Sequence, residues 1–202
     1  DGTVKCWGKN EHGQLGTGDT EPSLVPLQVG GSTASLDDVE EIAVSQDHSC
    51  ARTSDGHVYC WGRNNAFQTG TEEATPVPLP VQVMDVTNAV QLSAGITNHT
   101  CARPGDGRAK CWGSNASGKL GNGASSGNHL PQYVSGGGGE PLGGILHIEA
   151  GNAHTCALMQ SGGIFCWGRN NNGQLGDGTT VTASQPTAVS WWAATARIAS
   201  VR

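Results

Sequence analysis

One short string recurs along the chain and sets what it can fold into: Cys-Trp-Gly, at Cys6, Cys60, Cys111 and Cys166. A second string, His-Ser/Thr-Cys-Ala, keeps step with it at His48, His99 and His154. A period of about 50 residues carried by two markers at once is the signature of a repeat protein, in which each unit is one supersecondary motif that buries its apolar face against the next. The repeats run over approximately 1–47, 48–98, 99–153 and 154–202 of a single repeat domain.

Within a repeat, His48 to Gly62 reads as two short strands around Ser54-Asp55-Gly56. Pairing Cys50 with Cys60 puts Asp55 at the centre and leaves a three-residue loop ending on Gly56. Such loops want a left-handed residue last, which glycine supplies without steric cost; Gly107 and Gly162 fall at the same place. The spacing C-x9-C recurs unchanged as Cys50 with Cys60, Cys101 with Cys111, and Cys156 with Cys166. Residues directly opposed in a non-hydrogen-bonded antiparallel pair have Cα atoms about 4.5 Å apart, within disulfide range. One cross-strand disulfide per repeat is therefore predicted, stabilising each hairpin by roughly 2–3 kcal/mol on the chain-entropy account and implying an oxidising compartment. The competing reading is zinc, since His48, Cys50 and Cys60 offer three ligands per repeat. Structural zinc sites use four ligands, often in close Cys-x2-Cys pairs, and neither is present, so no metal is expected. Each of the three histidines is expected to bond a neighbouring backbone group and fix the entry of its strand.

The rest of each repeat supplies further strands and turns. With 31 glycines and no sustained 3.6-residue apolar period, long helices are excluded. After Cys-Trp-Gly come turn-rich segments such as Lys9 to Gly16 and Arg169 to Gly176, and then proline-bearing stretches such as Pro26 to Val29 and Leu79 to Val83. A missing amide costs little on an outer strand, so these read as sheet edges. A final short strand around Ile42, Leu92 and Ile148 leads into the next repeat, giving about four strands per unit. The net charge is −6 and the 11 Lys and Arg are scattered singly, so no patch exists to neutralise phosphates and nucleic acid is not an expected partner. No apolar run approaches the length of a membrane span, so no membrane insertion is expected. No nucleophile with a base, paired carboxylates or metal cluster recurs at a suggestive spacing, so neither an enzyme nor a cofactor is expected.

The run Trp-Gly-x-Asn-x-x-Gly-Gln-Leu-Gly stands at Trp7 to Gly16 and Trp167 to Gly176, with variants from Trp61 and Trp112. On these motifs the whole chain resembles the regulator of chromosome condensation repeat family. The resemblance implies an all-β fold, a β-propeller usually of seven blades, so that this chain would be a partial propeller of about four blades of four short antiparallel strands. It also implies a choice of functions, because the founding member is a nucleotide exchange factor for a small nuclear GTPase while bacterial relatives include a secreted inhibitor of β-lactamase. Disulfides do not persist in the nucleus or cytosol, which points to the exported branch, extracellular, at the cell surface or periplasmic. The expected function is a binding or scaffold propeller that engages a protein or surface polymer through its loops. The alternatives are a guanine-nucleotide exchange factor for a small GTPase and a structural subunit of a surface assembly.

Several positions depart from the pattern. Phe67 and Thr69 stand where other repeats carry Gly and Leu, so Phe67 either contacts a partner or fills the space of the missing Leu. Trp191-Trp192 offers a second aromatic contact or else packs on a neighbouring blade. The Gly136–Gly139 run reads as a flexible surface loop, with no Gly-Lys-Ser/Thr to make it a phosphate cradle. The sequons Asn98-His99-Thr100 and Asn115-Ala116-Ser117 would matter only in a eukaryotic secretory route. Asp1 aligns with Asp55 inside a hairpin turn, leaving Cys6 unpaired, and Arg197 to Arg202 aligns with the strand at Glu41 to Gln46. The chain thus reads as a fragment of a roughly seven-bladed propeller, or as one whose open edges invite self-association.

Overall fold

The computed structural model describes residues 2–31 and 35–190, and the segment holding Trp191, Trp192 and Arg197 to Arg202 lies outside them. Among the described residues, fourteen strands form four antiparallel sheets. The first sheet holds β1 (Lys5–Gly8) and β2 (Ser23–Gln28). The second runs in order β3 (Val39–Val44), β4 (His48–Thr53), β5 (Val58–Gly62) and β6 (Val77–Gln82). The third repeats the order with β7 (Ala89–Gly95), β8 (His99–Pro104), β9 (Lys110–Ser114) and β10 (Asn128–Tyr133). The fourth does so with β11 (Ile145–Ala150), β12 (His154–Met159), β13 (Ile164–Gly168) and β14 (Ala183–Ala188). One 3-10 turn, Ala116–Gly118, is the helical content of the described residues.

The first strands of successive sheets, β3, β7 and β11, lie beside one another, so the sheets are blades of a partial β-propeller. At the other margin, β2, β6, β10 and β14 carry Pro26, Pro78 and Pro80, Pro131 and Pro186. Each of these strands slips register against its neighbour, as between Cys60 and Gly62, so the margin is bulged and poor in free donors. Each four-stranded sheet takes its innermost strand from the end of the preceding sequence repeat, and the polypeptide thereby links blade to blade.

The hairpins follow from their turns. Cys50 faces Cys60, Arg52 faces Val58, and the loop is Ser54-Asp55-Gly56. Gly56, Gly107 and Gly162 hold φ values of 79°, 78° and 87°, the left-handed position that the turn demands. The core lies in the seams between blades. Trp112, Leu92 and Ala102 of the third blade pack on Ala43, Cys50 and Cys60 of the second, and Trp167, Ile148 and Ala157 of the fourth pack on Cys101 and Cys111 of the third. The Gly136–Gly139 excursion is closed by backbone bonds, Gly136 N donating to Glu140 O and Leu142 N to Val134 O, with Ser135 bridged to Pro141.

Candidate functional site

Three disulfides, Cys50–Cys60, Cys101–Cys111 and Cys156–Cys166, join directly opposed residues with Cα atoms 4.1 Å apart. All six sulfurs' residues are buried, and Cys6 is free. Because Cys50 and Cys60 are bonded to each other, the set His48, Cys50 and Cys60 holds no thiolates for a metal.

At His48 and His99 the partners of the imidazole are side-chain hydroxyls of the next blade, not the neighbouring backbone groups expected from the sequence. His48 Nε2 lies 2.9 Å from Thr100 Oγ1, and His99 Nε2 lies 3.1 Å from Thr155 Oγ1. Thr100 Oγ1 in turn donates to Gln68 O, and Thr155 Oγ1 to Lys119 O. A hydroxyl that spends its proton on a carbonyl must accept from the imidazole, so each ring carries its proton on Nε2. The same carbonyls also accept from tryptophan: Trp112 Nε1 donates to Gln68 O and Trp167 Nε1 to Lys119 O, both at 3.0 Å. At the first seam Trp61 Nε1 and Ser49 Oγ donate likewise to Gln14 O. Burial holds the His48 imidazole at a pKa of about 4 despite the Asp47 carboxylate next to it. His99 is pushed well below the usual histidine range by burial and then by the Lys119 ammonium, and His154 is lowered by burial. The Nδ1 atoms of all three are buried without a partner, so a second proton would enter a site with no acceptor.

A second brace pins the loop after each Cys-Trp-Gly. Asn10, Asn64, Asn115 and Asn170 are fully buried, and each side-chain oxygen accepts from a backbone amide five residues on, for example Leu15 N at 2.9 Å. Their amide groups donate to carbonyls across the same loop, as Asn115 Nδ2 does to Ala124 O. The sequon at Asn115 is thus occupied by the fold, because its amide nitrogen is buried and bonded. In the second sequon Thr100 is consumed in the His48 relay.

Lys119 replaces the Gln of the other loops and changes the local chemistry. Gln14, Gln68 and Gln174 each accept a backbone amide two residues earlier through Oε1, which an ammonium cannot do. Lys119 is buried, donates to Ser114 Oγ at 3.2 Å, and is lowered by desolvation to about 8. Phe67 occupies the glycine site of its loop at φ 60°, a costly conformation for an aromatic residue, and its side chain is half-buried. The space of the missing Leu is taken by the buried Thr69, which bonds Thr71 through its hydroxyl.

On the face formed by the hairpin turns, grooves open at successive seams. Beside the first, a groove of about 400 Å³ is lined by Leu36, Asp37, Asp38, Asp55, Tyr59 and Leu79. Asp55 is held below the usual carboxylate range by the Thr53 hydroxyl, 2.6 Å away, and then by His57. Beside the second, a groove of about 450 Å³ is lined by Asp85, Asp106, Arg108, Lys110 and Tyr133 among others. The Arg108 guanidinium and the Lys110 ammonium each stand 4.8 Å from the centre of the Tyr133 ring. Asp106 steadies Arg108 through bonds to Nε and Nη2, and Lys110 is tied to Asp85 O. The scaffold at the two seams is the same, but one groove is acidic and the other an aromatic platform flanked by cations.

The family profile described as the regulator of chromosome condensation (RCC1) repeat matches residues 1–52, 55–103, 106–158 and 161–201. A human protein named probable E3 ubiquitin-protein ligase HERC6 is 34% identical over 188 residues, 87% of this chain and 17% of its own length. The ultraviolet-B receptor UVR8 of Arabidopsis thaliana is 31% identical over 192 residues, 94% of this chain and 42% of its own. The crystal structure of human WBSCR16 superposes with a TM-score of 0.80 at 25% identity, over 97% of this chain and 50% of that one. The chain therefore spans half or less of the proteins it matches.

Proposed function

Because the chain belongs to the regulator of chromosome condensation (RCC1) repeat family, we propose that it is a stretch of a binding propeller of an oxidising compartment, secreted or displayed at a cell surface. It engages a protein or a surface polymer through its seam grooves and does so without catalysis. One observation carries this reading. The asparagine brace recurs in all four loops and the tryptophan bond at three seams, while the grooves beside them carry different chemistry, Asp37, Asp38 and Asp55 in one and Tyr133, Arg108 and Lys110 in the other. A scaffold held constant under varied linings is how repeat folds build recognition surfaces, and an aromatic ring with charges of both signs suits a polar polymer or a protein loop. The buried disulfides support the compartment, since cysteines paired in the core persist where thiols are not kept reduced.

The ligase named for HERC6 lies in a protein of which this chain matches 17%, so that activity is not carried over. The exchange-factor reading is kept as the outcome that would displace the proposal. Purified, labelled protein is expected to be retained by the outer surface of cells of its source, with retention reduced about tenfold, or roughly 1.4 kcal/mol, in Tyr133→Ala and Arg108→Glu. Retention indifferent to both substitutions, together with accelerated nucleotide release from a small GTPase, would overturn it.

A further inference from the structure

We infer that the groove beside the second seam is a saccharide-binding site, built for the hydroxyl-rich units of an uncharged polysaccharide. The inference rests on the reading that the seam grooves bind, and it names what this one takes. Its charges balance, with Asp85 and Asp106 against Arg108 and Lys110. Two of the four hold each other, since Asp106 accepts from Arg108 through Nε and Nη2. A polyanion would set its charges beside two carboxylates and a polycation beside two cations, so the field of the groove favours neither. The groove beside the first seam differs, with three aspartates, no Lys or Arg, and walls that include Leu36 and Leu79.

The groups left free in the groove both donate and accept. The Asp85 carboxylate, the Thr87 hydroxyl and the Asn88 amide are exposed on the connection from β6 to β7 and make no hydrogen bond among the described residues. Lys110 gives one N–H to Asp85 O and keeps two. Hydroxyls answer such a set, because each can accept from an amide or an ammonium and donate to a carboxylate. The apolar part of the lining is small and flat: Tyr133, 36% exposed, and Pro104, with no Leu, Ile, Val or Met. A protein loop would want a pocket for an anchoring side chain, which this groove lacks, whereas the C–H face of a pyranose packs on an exposed aromatic ring. Asp85 also stands in the left-handed region at φ 61°, where the first repeat has Gly31 at φ 64°. The two are equivalent, each lying two residues after a valine whose amide bonds back across its blade, Val83 to Val58 O and Val29 to Val4 O. Aspartate holds that conformation at a cost glycine does not carry, and strain of this kind gathers at binding sites.

The probe is the cell-surface polysaccharide of the source, deproteinised and passed over an anion exchanger, so that the unretained fraction is neutral and the retained fraction acidic. Affinity electrophoresis in gels containing either fraction reads binding as retardation. The neutral fraction should retard the protein, with little change when salt is added, and the acidic fraction should not. Asp85→Asn, which keeps a residue tolerant of the left-handed backbone, and Tyr133→Ala should each weaken the retardation about tenfold, with the urea midpoint of Asp85→Asn unchanged. No retardation by the neutral fraction, stronger retardation by the acidic one, loss of binding in salt, or an unchanged response in both variants would overturn the inference. If the neutral fraction fails while intact cells still retain the protein through Tyr133, and protease treatment of those cells abolishes the retention, the groove takes a protein and the binding reading stands without the saccharide. Retention indifferent to Tyr133→Ala would end both.

Discussion

The seam between the first and second blades and the seam between the third and fourth are built on the same sequence pattern, and among the described residues the first carries part of the set of contacts that the other carries whole. Trp61 and Trp167 make the same bond, each donating to the carbonyl of the preceding loop. At the later seam that carbonyl also receives Thr155, which receives His99, and Cys101, Cys111 and Ile148 share one buried cluster. At the first seam Ser49 reaches Gln14 O, but no histidine stands behind it among the described residues, and Ile42 is exposed. A blade of this fold is therefore closed by its neighbour's inner two strands, which bring the imidazole and the disulfide, while the tryptophan bond forms from the outer two alone.

The comparison can be broken most forcefully at tryptophan. Trp112 is buried and Trp7 is 61% exposed. Trp112→Ala is expected to lower the unfolding free energy by about 3–5 kcal/mol, and Trp7→Ala by about 0.5 kcal/mol, both read from urea denaturation. Equal costs would mean that the seams are not what holds the tryptophans.

Acid should open the closed seams. The folded pKa of His48 is about 4, below the unfolded value near 6.5. The folded state binds fewer protons in that interval, so the contribution is complete above the unfolded pKa and is lost as pH falls from about 6.5 through about 4. For His48 the loss amounts to about 3 kcal/mol, with His99 and His154 shifted in the same direction. Urea midpoints should fall through this window, and His48→Gln should flatten the dependence. A pH-independent midpoint would contradict the relay.

Thr155→Val strands the His99 N–H and removes one of the two donors to the Lys119 carbonyl, leaving Trp167 Nε1 as the other. We expect a loss of about 2 kcal/mol, against about 1 kcal/mol for Ser49→Ala, where one bond is removed and no imidazole is stranded. The smallest effect is expected at the loop: Phe67→Gly should raise stability by about 0.5–1 kcal/mol, because glycine accepts the positive φ that phenylalanine pays for. A decrease would show that the half-buried ring contributes more than its backbone costs.

Much of this was legible in the chain because its signals are local. The C-x9-C spacing and Gly56 determine the hairpin between them, since a turn of three residues leaves a single register. Pro26 and Pro80 marked the margin strands for the same kind of reason, a missing amide. The relay from His48 to Thr100 joins residues 52 positions apart, and nothing near His48 names its partner. A signal was present nonetheless: each histidine is followed at once by Ser or Thr, in phase from repeat to repeat, so that the string carries both the donor and the acceptor of a bond between copies of itself. Asn10 and its equivalents looked like turn residues, whereas they are buried cross-braces. The grooves were opaque, because Tyr133, Arg108 and Lys110 meet from two strands and a turn and belong to no repeated motif.

Each of the three later blades is stapled by its own hairpin disulfide. Alkylation of the folded protein without reductant, followed by proteolysis and mass spectrometry, tests it directly. The expected result is linked peptides pairing Cys50 with Cys60, Cys101 with Cys111 and Cys156 with Cys166, with none of these six alkylated. Alkylation at these six cysteines, or linkage between hairpins, would contradict it.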